Sequence, residues 1–373
     1  MKISSNFESG NIEVISIDNP EDIKLKIRKD TNSDFLQWFY FRLVGAEGYP
    51  CKMNIINAAE TSYPKWNNYQ VVASYNRKDW FRVPTEFDGT NLIIDHMPMY
   101  NSVFYAFFAP FSFEQHLNLI SQAQQSDLCV LKHIGETVEN RNIDCMIIGE
   151  PDKYKKNVWI IARQHPGESM AEWFMQGLIM RLLNENDSVS RKLTDKATFY
   201  IIPNMNIDGS IHGNLRSNAA GENLNREWEN PDKEKSPEVF YVRNMMDESG
   251  VDLCLDIHGD EELPYNFVST CEGNPNYNKR IEKLEELFIN DWKRINPDFQ
   301  DEFGYDKDKP GEADLSICSN QVGHRFNCLS LTIEMPFKDN AKMPDPIYGW
   351  SPNRSEKLGE SVLNVILGMV DEL

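Results

Sequence analysis

Apolar residues fall in short runs through the first third of the chain, at 12–17, 24–27, 37–44, 51–56, 71–75 and 92–94. Several of these runs alternate with polar positions, the period of a half-buried strand. Turn formers separate them: Asn19-Pro20, the stretch from Gly45 to Gly48, Asn67-Asn68 and Asp88-Gly89. Many short strands divided by turns predict an all-β sandwich over 1–112. After Ala109-Pro110-Phe111-Ser112 the period changes. A helix is expected over 113–125, with Ser112 as its N-cap and Leu117, Leu119 and Ile120 as apolar positions. Strands are then expected at 144–148, 157–162, 198–202, 252–258 and 329–335, alternating with helical stretches. Phe174, Leu178 and Leu182 form one core stripe, and Ile281, Leu284, Phe288 and Trp292 another. Ser236, Pro237 and Gly250 punctuate a further helix, and the last covers 355–373. This alternation predicts an α/β domain over 113–373, a mixed and mostly parallel sheet flanked by helices.

Composition narrows the partners and the compartment. A length of 373 residues with 40% apolar content is enough for two or three domains with sizeable cores. The formal net charge of −20 argues against nucleic acid and against anionic membranes, since no excess of Lys and Arg is present to meet phosphates. Seven scattered cysteines without a CxxC pair fit reduced thiols in a cytoplasm. The first thirty residues show no apolar signal core and no run reaches membrane-spanning length, so a cytoplasmic protein is expected.

The chemistry centres on Arg163-Gln164-His165-Pro166-Gly167-Glu168-Ser169. It follows the unbroken apolar run Val158-Trp159-Ile160-Ile161-Ala162, which reads as a strand buried on both faces. Pro166 keeps His165 out of helical geometry and ends the strand. His165 and Glu168 then stand at the carboxyl end of a central strand, where open α/β sheets bind ligands. An imidazole and a carboxylate three residues apart can share one Zn²⁺, and a catalytic zinc takes a third protein ligand. His258 is the best third ligand, since it ends the strand at 252–258 with Asp256 on the same face. Asp256 could orient its ring from behind. His96 and His116 are isolated in sequence, while His133, His212 and His324 rank below His258.

A general base should be a carboxylate that is not a ligand. In Leu329-Ser330-Leu331-Thr332-Ile333-Glu334, the apolar residues face one way and Glu334 faces the other with Ser330 and Thr332. A charge closing an otherwise uncharged strand needs a partner or a function. Glu334 could therefore shuttle a proton or pair with a nearby Lys or Arg. The loop from Asn204 to Trp228 is rich in Asn, Gly and Arg, and holds Arg216 and Arg226. Arginine forks bind carboxylates, so both are candidates for substrate charge, with surface ion pairing as the alternative.

Five ordered motifs then carry a resemblance: His-Pro-Gly-Glu at 165–168, Asn-x-Asp-Gly followed by Gly-x-x-Arg at 206–216, Asn-Leu-Asn-Arg-x-Trp at 223–228, Asp-x-His-Gly at 256–259, and Thr-x-Glu-Met-Pro-Phe at 332–337. Together they resemble the zinc metallocarboxypeptidases, and most closely the cytosolic carboxypeptidase branch with its bacterial relatives. The runs 37–41 and 79–84 are similar to that branch's N-terminal sandwich. The resemblance covers nearly the whole chain. It implies one zinc per chain, bound by His165, Glu168 and His258. It implies that Arg216 polarises the scissile carbonyl, that Asn225 and Arg226 hold the substrate's terminal carboxylate, and that Glu334 is the base. The substrate so implied is the C-terminus of a peptide or protein, cut one residue in.

Two departures stand out. Asn223 occupies a place where the family often has Asp supporting a ligand histidine. No tyrosine at a motif-matching position between Tyr305 and Glu334 can be assigned to closing over substrate. Eukaryotic relatives remove C-terminal acidic residues, and Arg325 is the candidate cation for such a pocket. Two other functions compete: a zinc-dependent small-molecule deacylase of the aspartoacylase kind, and a non-catalytic binding protein. The sequence leaves the oligomeric state open.

Overall fold

A computed structural model describes residues 1–373. Two five-stranded sheets form the N-terminal sandwich. One runs in the order Lys2–Ser4, Tyr40–Val44, Ser102–Ala106, Val72–Ser74, Phe81–Arg82. The other runs Glu13–Ser16, Ile23–Lys26, Cys51–Ile55, Leu92–His96, Thr85–Phe87. Alternation sets the inward face: Cys51, Met53 and Ile55 are buried while Lys52 is exposed. The strands Lys2–Ser4, Phe81–Arg82 and Thr85–Phe87 were not expected, because two or three residues are too few to show a period. Ser102–Ala106 was also not expected, yet it pairs on both sides, with Tyr40–Val44 and Val72–Ser74.

The chain passes through 107–112 into the helix Phe113–Ala123. Ser112 and Gln115 cap that helix reciprocally, so its start is fixed by side chains as well as by packing. The second sheet has seven strands in the order Cys129–Glu136, Asn142–Ile148, Ala197–Ile202, Lys156–Ala162, Leu253–Asp260, Leu329–Pro336, Phe267–Ser269. Its middle four strands are parallel and the others antiparallel. The parallel strands are buried on both faces, which is why they read as continuous apolar runs. Helices Met170–Leu182 and Pro352–Met369 pack at very close range. A Cβ at Gly177 would fall 2.2 Å from the Glu356 carbonyl oxygen, and one at Gly359 would fall 2.1 Å from that of Phe174. His133 lies within the strand Cys129–Glu136, and His324 on the helix Cys318–Phe326.

The 204–228 stretch is not structureless. Asn206 caps a short helix, Ile207–His212, and Leu224–Arg226 forms a 3₁₀ turn. Between them the chain is held by the sandwich. Asp30, 5% exposed, accepts backbone N–H bonds from Leu215 (2.6 Å), Arg216 (2.8 Å) and Ser217 (3.0 Å), and one from the Ser217 hydroxyl. Asn214 accepts from the Thr31 backbone, and Asn32 donates to the Ala219 carbonyl. Asp30→Ala would leave three buried donors unpaired at roughly 1–3 kcal/mol each. The expected result is a stability loss of at least about 3 kcal/mol in urea titration. A loss under about 1 kcal/mol would show that the loop is held by something else.

Candidate active site

Three parallel strands deliver the candidate residues to one end of the sheet. Lys156–Ala162 stops just before Arg163, a non-glycine residue at φ 57°. A left-handed arginine is costly unless its surroundings fix it. Here the buried guanidinium donates to the carbonyls of Pro166 and Phe111 and to Glu172 at 2.7 Å. Glu172 also bonds His116 at 2.6 Å, so His116 is part of this support. The kink at Arg163 turns the chain so that His165 and Glu168 face back over the sheet. The neighbouring strand brings His258, and the next places Glu334 directly beside it in register.

The three donors converge on one point. His165 Nδ1 lies 2.6 Å from Glu168 Oε1, and His258 Nδ1 lies 2.8 Å from Glu168 Oε2. The two Nδ1 atoms are 3.2 Å apart. All three donor atoms lie within 4.8 Å of one another. The far ring nitrogens meet acceptors: His165 Nε2 is 3.0 Å from Asn223 Oδ1, and His258 Nε2 is 3.0 Å from Asp256 Oδ2. Those partners place the proton on Nε2 and turn each Nδ1 lone pair inward, the form a metal ligand needs. Burial and the nearby Arg216 lower His165 to about 3, which keeps its imidazole neutral. Burial opposes charge on His258 while Asp256 and Glu168 push its pKa up, so a divalent cation held there would take the place of a proton. Burial alone would raise Glu168, but both histidines pull it well down and keep it ionised. Two imidazoles and one carboxylate, each buried and oriented from behind, fit one zinc. Asp256 thus takes the orienting place expected for it, and the neutral Asn223 takes the corresponding place at His165.

These residues line a cavity of about 530 Å³ together with Arg216, Asn225, Arg226 and Glu334. Arg216 Nη1 stands 4.0 Å from Glu168 Oε1, with the guanidinium 5.4 Å from the Tyr63 ring centre and 5.9 Å from that of Phe35. Asn225 Oδ1 accepts from the Cys318 backbone at 2.8 Å, which fixes the side chain. Arg226 is exposed to the cavity and donates to the Asn225 carbonyl. Burial pushes the Glu334 carboxyl well above the usual range; His258 opposes this, and Glu168, Asp260 and Glu261 add to it.

The structure differs from expectation at two residues. Arg325 lies outside the cavity, on the helix Cys318–Phe326, where it forms a two-pronged pair with Asp247 at 2.6 and 2.9 Å. Its partner is on a neighbouring helix, so no sequence spacing pointed to the pair. Tyr305 is in the cavity, and its hydroxyl donates to Asp260 at 2.7 Å and approaches Glu334 Oε1 at 3.2 Å. Its surroundings, Asp301 to Glu312, are charged and aperiodic, and Phe303 stands two residues before it, so no local signal marked it. Tyr63 was also missed, because its role depends on a contact between the sandwich and a distant loop.

Comparison with known proteins agrees with this arrangement. Residues 3–108 match the family described as cytosolic carboxypeptidase N-terminal domain, and residues 114–357 match the family described as zinc carboxypeptidase. A metallo-carboxypeptidase from Burkholderia cenocepacia is 51% identical, with a TM-score of 0.98 and complete coverage of both chains. A metallo-carboxypeptidase from Pseudomonas aeruginosa, solved in complex with (2-guanidinoethylmercapto)succinic acid, is 44% identical with a TM-score of 0.98 and complete coverage of both chains. Cytosolic carboxypeptidase 6 of Caenorhabditis elegans is 27% identical over 89% of this chain and 78% of its own length. The donor set is that of a zinc site, and both halves of the chain match in the same order as their families. The chain therefore belongs to the zinc carboxypeptidases, within the branch that carries the cytosolic carboxypeptidase sandwich.

Proposed function

We propose that the enzyme removes single residues from peptide C-termini, with Glu334 as general base and then acid. The observation that carries this is the placing of Glu334 beside His258 in one cavity with Arg216, Asn225 and Arg226. A bound zinc supplies Lewis acidity toward water and toward the scissile carbonyl. Glu334 takes the proton of the attacking water and passes it to the leaving amine; its raised pKa suits both transfers. Arg216 donates to the carbonyl oxygen as negative charge builds there, and its seat against Tyr63 and Phe35 means little reorganisation is needed. Asn225 and Arg226 hold the terminal carboxylate. Tyr305 is placed to hydrogen-bond the substrate or the base from the open side. A cytoplasmic setting suits the seven free, buried cysteines. The strong negative charge speaks for peptide rather than nucleic acid as partner. No helix is long and apolar enough to cross a membrane.

The preference for acidic C-terminal residues gains no support from the cavity. Arg216 and Arg226 are its only guanidiniums, and both have other tasks in this reading. Glu168, Asp260, Glu261, Glu262, Asp306, Asp308 and Glu334 all line it. Such walls favour a neutral or basic residue by charge alone. The guanidino-succinate bound by the Pseudomonas aeruginosa relative pairs carboxylates with a guanidinium, and that chemistry suits walls of this charge.

The first test is mass spectrometry of peptides ending in Glu, Asp, Lys, Phe and Ala, with N-acyl amino acids alongside. Zinc-loaded enzyme is expected to shorten peptides by one residue, and a chelator to stop it. Cleavage of the N-acyl amino acids alone would reverse the assignment in favour of a deacylase. Glu334→Gln should lower kcat by about 10²- to 10⁴-fold while zinc content stays at one per chain. Arg325→Ala should leave kcat/KM on every peptide within about twofold, since a surface ion pair contributes little; a selective loss on peptides ending in Glu would restore it as a specificity residue.

A further inference from the structure

Three consecutive carboxylates follow the His258-Gly259 pair, and two of them are accounted for. Asp260 accepts from the Tyr305 hydroxyl and from the backbone of Glu262 and Leu263. Glu262 pairs with Lys65 of the sandwich at 2.6 Å. Glu261 is different. It is 8% exposed, it lines the cavity, and its Oε1 has no hydrogen-bond partner. Burying a carboxylate oxygen without a donor is costly, so few such atoms persist in a folded protein.

The place of Glu261 in the cavity follows from its neighbours. Glu262 pairs with Lys65, two residues from Tyr63, whose ring centre lies 5.4 Å from the Arg216 guanidinium. Arg226 instead stands on the turn Leu224–Arg226, whose Asn225 is tied to the backbone of Cys318. Glu261 therefore lies on the Arg216 side, away from the guanidinium that holds the terminal carboxylate. A peptide bound with its carboxylate at Arg226 and its scissile carbonyl at Arg216 would run its preceding residue toward Glu261.

We propose that Glu261 binds a cationic group carried by the residue on the amino side of the scissile bond, either a Lys or Arg side chain or the free ammonium of a dipeptide. This rests on the exopeptidase reading and names the substrate class within it. Glu261 would act as a specificity residue that touches substrate. Burial pushes its carboxyl well above the usual range, Arg216 opposes this, and Glu168 and Asp260 add to it. An arriving cation offsets that cost and supplies the missing donor. A polyglutamate chain would instead bring a second carboxylate to this wall, where like charges repel.

The test uses full-length, zinc-loaded enzyme and peptides Ac-Ala-Ala-X-Ala, in which X is Lys, norleucine or Glu, together with the free dipeptide norleucyl-alanine and its N-acetyl form. The Lys peptide is expected to exceed the norleucine peptide about tenfold in kcat/KM, mostly through KM, with the Glu peptide lowest; tenfold is about 1.4 kcal/mol. Glu261→Gln should bring the Lys-to-norleucine ratio close to one, and Glu261→Asp should keep part of it. A preference of the free dipeptide over its acetylated form would assign the ammonium as a cation for this subsite. A ratio near one in the native enzyme, or one unchanged in Glu261→Gln, would overturn the proposal, as would a Glu261→Gln effect equal on all peptides. Cleavage with no dependence on X removes this inference alone, while no cleavage of any peptide removes the exopeptidase reading with it.

Discussion

Arg216 sits on a segment with no regular structure of its own, so its position depends on hydrogen bonds from outside. Asp30 provides them: one buried carboxylate accepts from three successive backbone amides of that segment. Tyr63 and Phe35, also from the sandwich, then flank the guanidinium. In the proposed reading Arg216 meets a developing oxyanion, and a cation with that task must be held before the reaction, because a mobile one would spend its interaction on reorganising. The sandwich is in this sense a wall of the active site. It is joined to the catalytic sheet by buried polar contacts, where one lost partner leaves several orphaned groups.

The rest of the site follows from the sheet. Parallel strands run in register, so their carboxyl ends gather residues that are far apart in the chain. His258 and Glu334 are neighbours for this reason alone. The first histidine needs more, since it must leave its strand and turn back. The left-handed Arg163 makes that turn, and its cost is met by four hydrogen bonds made by its fully buried guanidinium and its carboxylate partner Glu172. Charge completes the picture. Seven carboxylates and two guanidiniums line the cavity, so a divalent cation held by His165, Glu168 and His258 would lower the repulsion as well as supply chemistry.

Most of the metal centre was legible in the chain. The His-x-x-Glu turn follows an unbroken apolar run that marks its strand, while His258 and Glu334 each end an alternating run that also fixes which way they point. Asp256 was legible by the same parity. The sandwich was legible as a class, but the short strands Lys2–Ser4, Phe81–Arg82 and Thr85–Phe87 were not, because pairing rather than local pattern makes them. Tyr305 lies 29 residues before Glu334 in a charged stretch without period, so nothing local shows its approach to the base. Arg325 looked available because its partner, Asp247, is 78 residues away.

Sequence alone thus determined the two-part architecture and the zinc donors, and it marked Glu334, Arg216, Asn225 and Arg226 as candidates. Each is encoded by short-range pattern: strand parity, a proline that ends a strand, and motif spacing. Only the tertiary structure decided which cations reach the cavity, which tyrosines line it, and that Glu261 carries an oxygen without a donor there. Those outcomes depend on how the sandwich docks and on how loops from different strands meet, and such long-range contacts leave no period in the chain.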